Sequence, residues 1–104
     1  MSAERYSIGS NVWPGLSKLI EEAGEVQQVC GKLLGTGGDP KHWDGSDLRD
    51  RLEEEIGDLI AACMFVQDKN KLSPEKVGKR IREKIALFDK WHAEQDPLPR
   101  SGDQ

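Results

Sequence analysis

Leu48-Arg-Asp-Arg-Leu52-Glu-Glu-Glu55-Ile-Gly-Asp58-Leu59-Ile-Ala-Ala62-Cys-Met-Phe-Val66 decides the fold. Read in steps of four and three, Leu48, Leu52, Glu55, Leu59, Ala62 and Val66 share one helical face, and five of the six are apolar. The exception is a glutamate. The wider apolar stripe of this helix is Leu48, Leu52, Ile56, Leu59, Cys63 and Val66. Ser46 and Asp47 are both competent N-caps, so the spacing predicts a helix from there to about Lys69.

Two more helices flank it. Upstream, a helix opens near Pro14, a favoured first position, and runs to about Leu34, where Gly35-Thr-Gly-Gly38 ends it. Its stripe is Leu16, Leu19, Ile20, Ala23, Val26, Val29, Cys30 and Leu33. Downstream, Ser73-Pro74-Glu75 supplies a cap, a proline and a first-turn acid. That third helix runs to about Glu94 with Val77, Ile81, Ile85, Phe88 and Trp91 as its apolar positions. Alternating strand-like runs are absent. The expected fold is all-α, a bundle of three long helices per chain.

The 104 residues are 36% hydrophobic and 33% charged, with a net charge of −4. That length allows one domain, 1–104, with a core over about 13–94 and a tail over 95–104. Three helices expose more than one apolar stripe, so oligomerisation, as a homodimer or a homotetramer built as a dimer of dimers, is expected to complete the bundle. No apolar run approaches the ~18 residues of a membrane span, so no membrane partner is expected. Met1-Ser-Ala-Glu-Arg-Tyr6 has no apolar signal core, and Cys30 and Cys63 stand in no metal or redox spacing. A cytoplasmic location follows as the expectation, with both cysteines as small core residues.

Charge is unevenly laid out. Residues 1–68 carry thirteen acids against six bases, whereas residues 69–90 carry eight bases against three acids. A mostly acidic chain disfavours nucleic-acid coating. The twelve-residue, glycine-rich connection 35–46 lacks a GK[ST] sequence, which excludes a P-loop. Asp39-Pro-Lys-His42 and Asp89-Lys-Trp-His92 do not make the paired Glu-x-x-His of ferritin-like di-iron sites, and both histidines read as solvated.

The acids inside the apolar rows carry the chemistry. Row Leu19, Glu22, Val26, Val29, Leu33 repeats the intrusion seen at Glu55. Glu25 and Asp58 lie one turn beyond the two intruders, on the same faces. Antiparallel packing would gather Glu22, Glu25, Glu55 and Asp58, and like charges that close repel unless a cation sits among them. Carboxylate oxygens suit Mg²⁺, with Mn²⁺ as a substitute. The competing reading is neutralisation by Lys18 and Arg51, but two bases cannot balance four inward carboxylates. Glu21, Glu53 and Glu54 fall on polar sides, as solvated acids.

Glu21-Glu22-Ala-Gly-Glu25, followed by Glu54-Glu55-Ile-Gly-Asp58-Leu59, resembles the ExxE and ExxD signature of the all-α nucleoside triphosphate pyrophosphohydrolases, the MazG-like group. The resemblance covers about residues 13–92. It implies Mg²⁺-dependent hydrolysis of a (d)NTP to the monophosphate and pyrophosphate, metal ligation by Glu22, Glu25, Glu55 and Asp58, and dimers or tetramers. The motifs stand 29 residues apart, at the long end of the family's range, and Phe88 occupies the place four after Lys84 where relatives often carry Asn.

Within that expectation Glu25 or Glu22 takes the proton of the attacking water. Lys84 is the leading phosphate ligand among Lys79, Arg80, Arg82 and Lys84, with Lys18 and Arg82 as further candidates. Trp13 and Asn11 are the candidates for the base; Trp43 could belong to a lid, and Trp91 reads as core. Two alternatives stay open: phosphoribosyl-ATP pyrophosphohydrolase, and a non-catalytic helical oligomerisation or adaptor module whose acids hold a structural cation.

Overall fold

The structure is a computed structural model that describes residues 8–41 and 45–95. Three α-helices are present, α1 over Leu16–Gly35, α2 over Leu48–Lys69 and α3 over Pro74–Glu94, and no strand occurs among the described residues. An isolated antiparallel bridge joins Lys41 and Asp47. None of these helices is long and apolar enough to cross a membrane. The chain divides between Leu72 and Ser73 into two compact units, one holding α1 and α2 and the other α3.

Each boundary has a local cause. Asp47, not Ser46, caps α2, its carboxylate accepting from the N–H groups of Arg49 at 2.8 Å and Asp50 at 3.2 Å. Ser73 Oγ accepts from Lys76 N–H at 3.1 Å, and Pro74 fills the first turn of α3. The C-termini of α1 and α2 close alike, by paired bonds back into the last turn. Gly38 N–H donates to Leu33 O at 2.8 Å and Gly37 N–H to Leu34 O at 3.2 Å. Leu72 N–H donates to Gln67 O at 3.0 Å and Lys71 N–H to Asp68 O at 3.3 Å. Gly37 takes the left-handed position of the first closure at no steric cost, but Lys71 takes it in the second with φ 56°.

The start of α1 corrects the expectation at Pro14. The helix opens at Leu16, two residues later, because Gly15 adopts φ 94° and cannot be helical. A Cβ on Gly15 would lie 2.7 Å from Phe65 Cδ1 and 3.0 Å from Val66 Cγ2, so the backbone of this turn rests directly on α2. Asn70 locks the contact by donating from Nδ2 to Pro14 O at 3.0 Å and to Val66 O at 2.8 Å.

α1 and α2 pack against each other along the two rows that contain glutamate. Val29 and Leu48 are fully buried, Val66 nearly so, and Leu19, Val26, Leu33, Leu52, Leu59 and Ala62 are half-buried. The flanking members of the broader stripes fare differently. Leu16, Ile20 and Ile56 are exposed, as are Cys30 and Cys63, which corrects their reading as core residues. One helix pair buries one seam, and both cysteines lie outside it.

α3 has the apolar row expected of it but buries no residue. Trp91, read as core, is 53% exposed, and among the described residues the α3 unit by itself has no second helix to cover it. Its ring lies 5.8 Å from that of Phe88, and Lys84 Nζ stands 5.1 Å from the Phe88 centroid and 6.0 Å from that of Trp91.

Candidate metal centre

The antiparallel course of α1 and α2 follows from their contacts. Gly15 meets Phe65 and Val66 at one end, and Glu22 meets Glu55 and Asp58 farther along. Glu22, Glu55 and Asp58 each offer a carboxylate oxygen within 4.8 Å of the other two. Ligands opposite one another on an octahedral Mg²⁺ stand about 4.2 Å apart, so small side-chain adjustments would close the three on one ion. The donor chemistry is all hard oxygen, and the set fits a divalent cation of that kind.

Electrostatics mark the same place. Partial burial, and then the charges of Asp58, Glu21, Glu55 and Glu25, hold the Glu22 carboxyl above its ordinary value of 4.5. Among the described residues no ion pair reaches Glu22, Glu55 or Asp58. Lys18, one turn before Glu22, gives its Nζ to Glu21 Oε2 at 3.1 Å instead. Neutralisation by Lys18 and Arg51 is therefore not what the side chains do.

Glu25 is half-buried on α1 and close enough to act on Glu22, but its carboxylate does not join the group of three. The structure thus brings together three of the four acids. Glu21, Glu53 and Glu54 are exposed, as their polar-side positions predict.

The other candidates are scattered. Lys18 lines a cavity beside Glu22 and Asp58. Lys84 and Arg82 belong to α3, where Lys84 rests over two aromatic rings and the Arg82 guanidinium lies 3.3 Å from where a Cβ on Gly78 would be. Trp13 and Asn11 precede α1 in exposed turns, Trp13 with 52% of its surface accessible. His92 is exposed, while His42 and Trp43 fall outside the described residues, as does the tail beyond Gln95.

Sequence reasoning missed the cavity of about 350 Å³ next to the acids, lined by Ile8, Gly15, Lys18, Glu22, Asp58, Ala61, Ala62 and Phe65. Its helical walls were detectable in principle. Lys18 and Glu22 share one face of α1, and Asp58, Ala62 and Phe65 one face of α2, at steps of three and four, while Gly15 is the N-cap of α1. No family model, no curated protein and no solved structure matches this chain.

Proposed function

We propose that this chain is a Mg²⁺-dependent nucleoside triphosphate pyrophosphohydrolase of the MazG-like kind, converting a dNTP to the monophosphate and pyrophosphate. The observation that carries the reading is the meeting of Glu22, Glu55 and Asp58 across two helices, with Glu22 and Glu55 half-buried in otherwise apolar rows and none of the three in an ion pair among the described residues. Like charges gathered this closely repel one another, and a cation among them would relieve that repulsion.

Mg²⁺ held there would lower the pKa of bound water and neutralise charge on the phosphates, with Mn²⁺ able to substitute. Glu22, Glu55 and Asp58 hold the ion. Glu25 stays outside that group and near it, which suits it to accept the proton as water oxygen bonds to the α-phosphorus; Glu22 is the second candidate. The bond from the α-phosphorus to the bridging oxygen breaks, and pyrophosphate leaves with that oxygen. Lys18, on the cavity wall beside Glu22 and Asp58, neutralises phosphate oxygens.

Assembly belongs to the same reading. The exposed rows Ile81, Ile85 and Phe88 on α3 and Ile56, Ile60 and Met64 on α2 support a homodimer or homotetramer that covers them.

Pyrophosphate release measured over the canonical NTPs and dNTPs, with phosphoribosyl-ATP included, tests the activity. Turnover of one or more dNTPs in Mg²⁺ is expected, and Glu55→Gln should lower it by at least about a hundredfold. Full activity in Glu55→Gln would remove the metal assignment. Turnover of phosphoribosyl-ATP alone would transfer the enzyme to that reaction. No turnover, with no joint stabilisation by Mg²⁺ and a non-hydrolysable triphosphate, would leave a helical adaptor.

A further inference from the structure

We infer that the 350 Å³ cavity between α1 and α2 receives the nucleobase, with Phe65 as its aromatic wall and the segment Ile8–Gly15 as its preformed edge. The inference rests on the nucleotide reading above and adds where the base sits and which residues read it.

The geometry is a track with different chemistry at its two ends. Gly15 caps the end of α1 nearer Lys18, and Lys18 and Glu22 succeed one another along one face of that helix. On α2, running the opposite way, Phe65, Ala62 and Asp58 do the same. The acids occupy one end, Lys18 the middle, and Phe65 beside Gly15 the other. Phe65 lies seven residues from Asp58, about 10 Å along the helix. A molecule bound along this track needs an anionic, metal-binding head and a flat apolar body. A nucleoside triphosphate has both, in that order.

The apolar end is already built without a ligand. Gly15 N–H donates to Ile8 O at 3.2 Å and Ser17 Oγ to the same oxygen at 3.3 Å, which fastens the segment to the first turn of α1. Asn70 fastens it from the other side through Pro14 O. Gly15 has no side chain because Phe65 occupies the space a Cβ would take. A wall fixed in this way need not be ordered when the base arrives. Alanines 61 and 62 keep the adjoining surface of α2 low, so the cavity stays open. Trp13 and Asn11, the bases' candidates by sequence, belong to the same segment but do not line the cavity.

Two probes separate the base from the phosphates: Mg²⁺ with inorganic tripolyphosphate, and Mg²⁺ with α,β-imido analogues of the four canonical dNTPs, both followed by calorimetry. At least one analogue should bind the unmodified protein about tenfold more tightly than tripolyphosphate, in line with one stacked base. Ala61→Leu fills the cavity from an exposed helical position, so folding is preserved. Phe65→Leu keeps apolar volume and removes the ring. Each should erase most of the tenfold gain and leave tripolyphosphate binding within about twofold. An equal affinity for all probes in the unmodified protein, or a gain that survives both substitutions, overturns the base pocket and leaves the metal and phosphate reading standing. Analogue binding that needs no Mg²⁺ and disappears in Ala61→Leu, with no tripolyphosphate binding, has the opposite meaning. Binding of neither probe overturns both.

Discussion

α1 and α2 bury Val29, Leu48 and Val66 between them, whereas α3 buries none of its 21 residues. α2 and α3 both open on side-chain caps, Asp47 and Ser73, and both regions are amphipathic, so local helix signals do not account for the difference. What differs is the cover over the apolar row. In the first pair each row meets the other, and the carboxylates in those rows are drawn together as a by-product of the packing. In α3 an equally apolar row, Ile81, Ile85, Phe88 and Trp91, stays about half exposed. A helix supplies its own hydrogen bonds, but the burial that stabilises it must come from a partner surface.

Equal truncations in the two regions test this most strongly. Leu48→Ala should cost about 2–5 kcal/mol in denaturant unfolding, since Leu48 is fully buried. Ile85→Ala, at a site 55% exposed, should cost within about 0.5 kcal/mol in dilute protein. As protein concentration rises and copies associate, the Ile85→Ala cost should grow while that of Leu48→Ala holds steady. A small cost at every concentration would break the assembly reading.

Glycine substitutions should have opposite signs in the two regions. Gly15→Ala meets both φ 94° and Phe65, and should lower stability by about 2–4 kcal/mol. Gly78→Ala in α3 meets only the far end of Arg82 and should raise stability by about 0.5–1 kcal/mol. Thermal melts of both variants check the contrast. An effect of similar size is expected just after α2: Lys71→Gly relieves a left-handed lysine and should add about 1 kcal/mol.

The mildest prediction concerns charge. The folded chain holds the Glu22 proton more tightly than the unfolded chain does, because its carboxyl lies above 4.5. Without metal, this group's contribution makes stability fall as pH rises from 4.5 through the raised value. Glu22→Gln should flatten that part of the profile and slightly stabilise the metal-free protein at neutral pH. It should also weaken stabilisation by added Mg²⁺. A profile unchanged by Glu22→Gln would show that the acids do not strain the pair.

Much of this was legible in the sequence because it is local. Helical periodicity marked all three helices, and Asp47 and Ser73 announced two of their starts. The interruption of apolar rows at Glu22 and Glu55 singled out the seam that packs. The misses are tertiary. Pro14 obeyed a local rule that the contact of Gly15 with Phe65 overrode. Periodicity gave Cys30, Cys63 and Trp91 an apolar side but could not tell whether anything covers it. Glu25 shares a helix face with Glu22, yet its separation from the three-carboxylate group depends on side-chain directions that spacing does not specify. Ile8 reaches the cavity through a turn that no repeat announces.

Asn70 has a consequence for the order in which the helix pair assembles. α1 and α2 are joined at one end by the twelve-residue connection after Gly35, so contacts formed outward from that end close a far smaller loop than contacts at the other end. The amide of Asn70 spans 56 residues to Pro14 at the opposite, open end. It is therefore a late clasp, made after most of the seam is in place. Interactions of that kind add little to the speed of folding and act mainly by slowing the escape from the folded state.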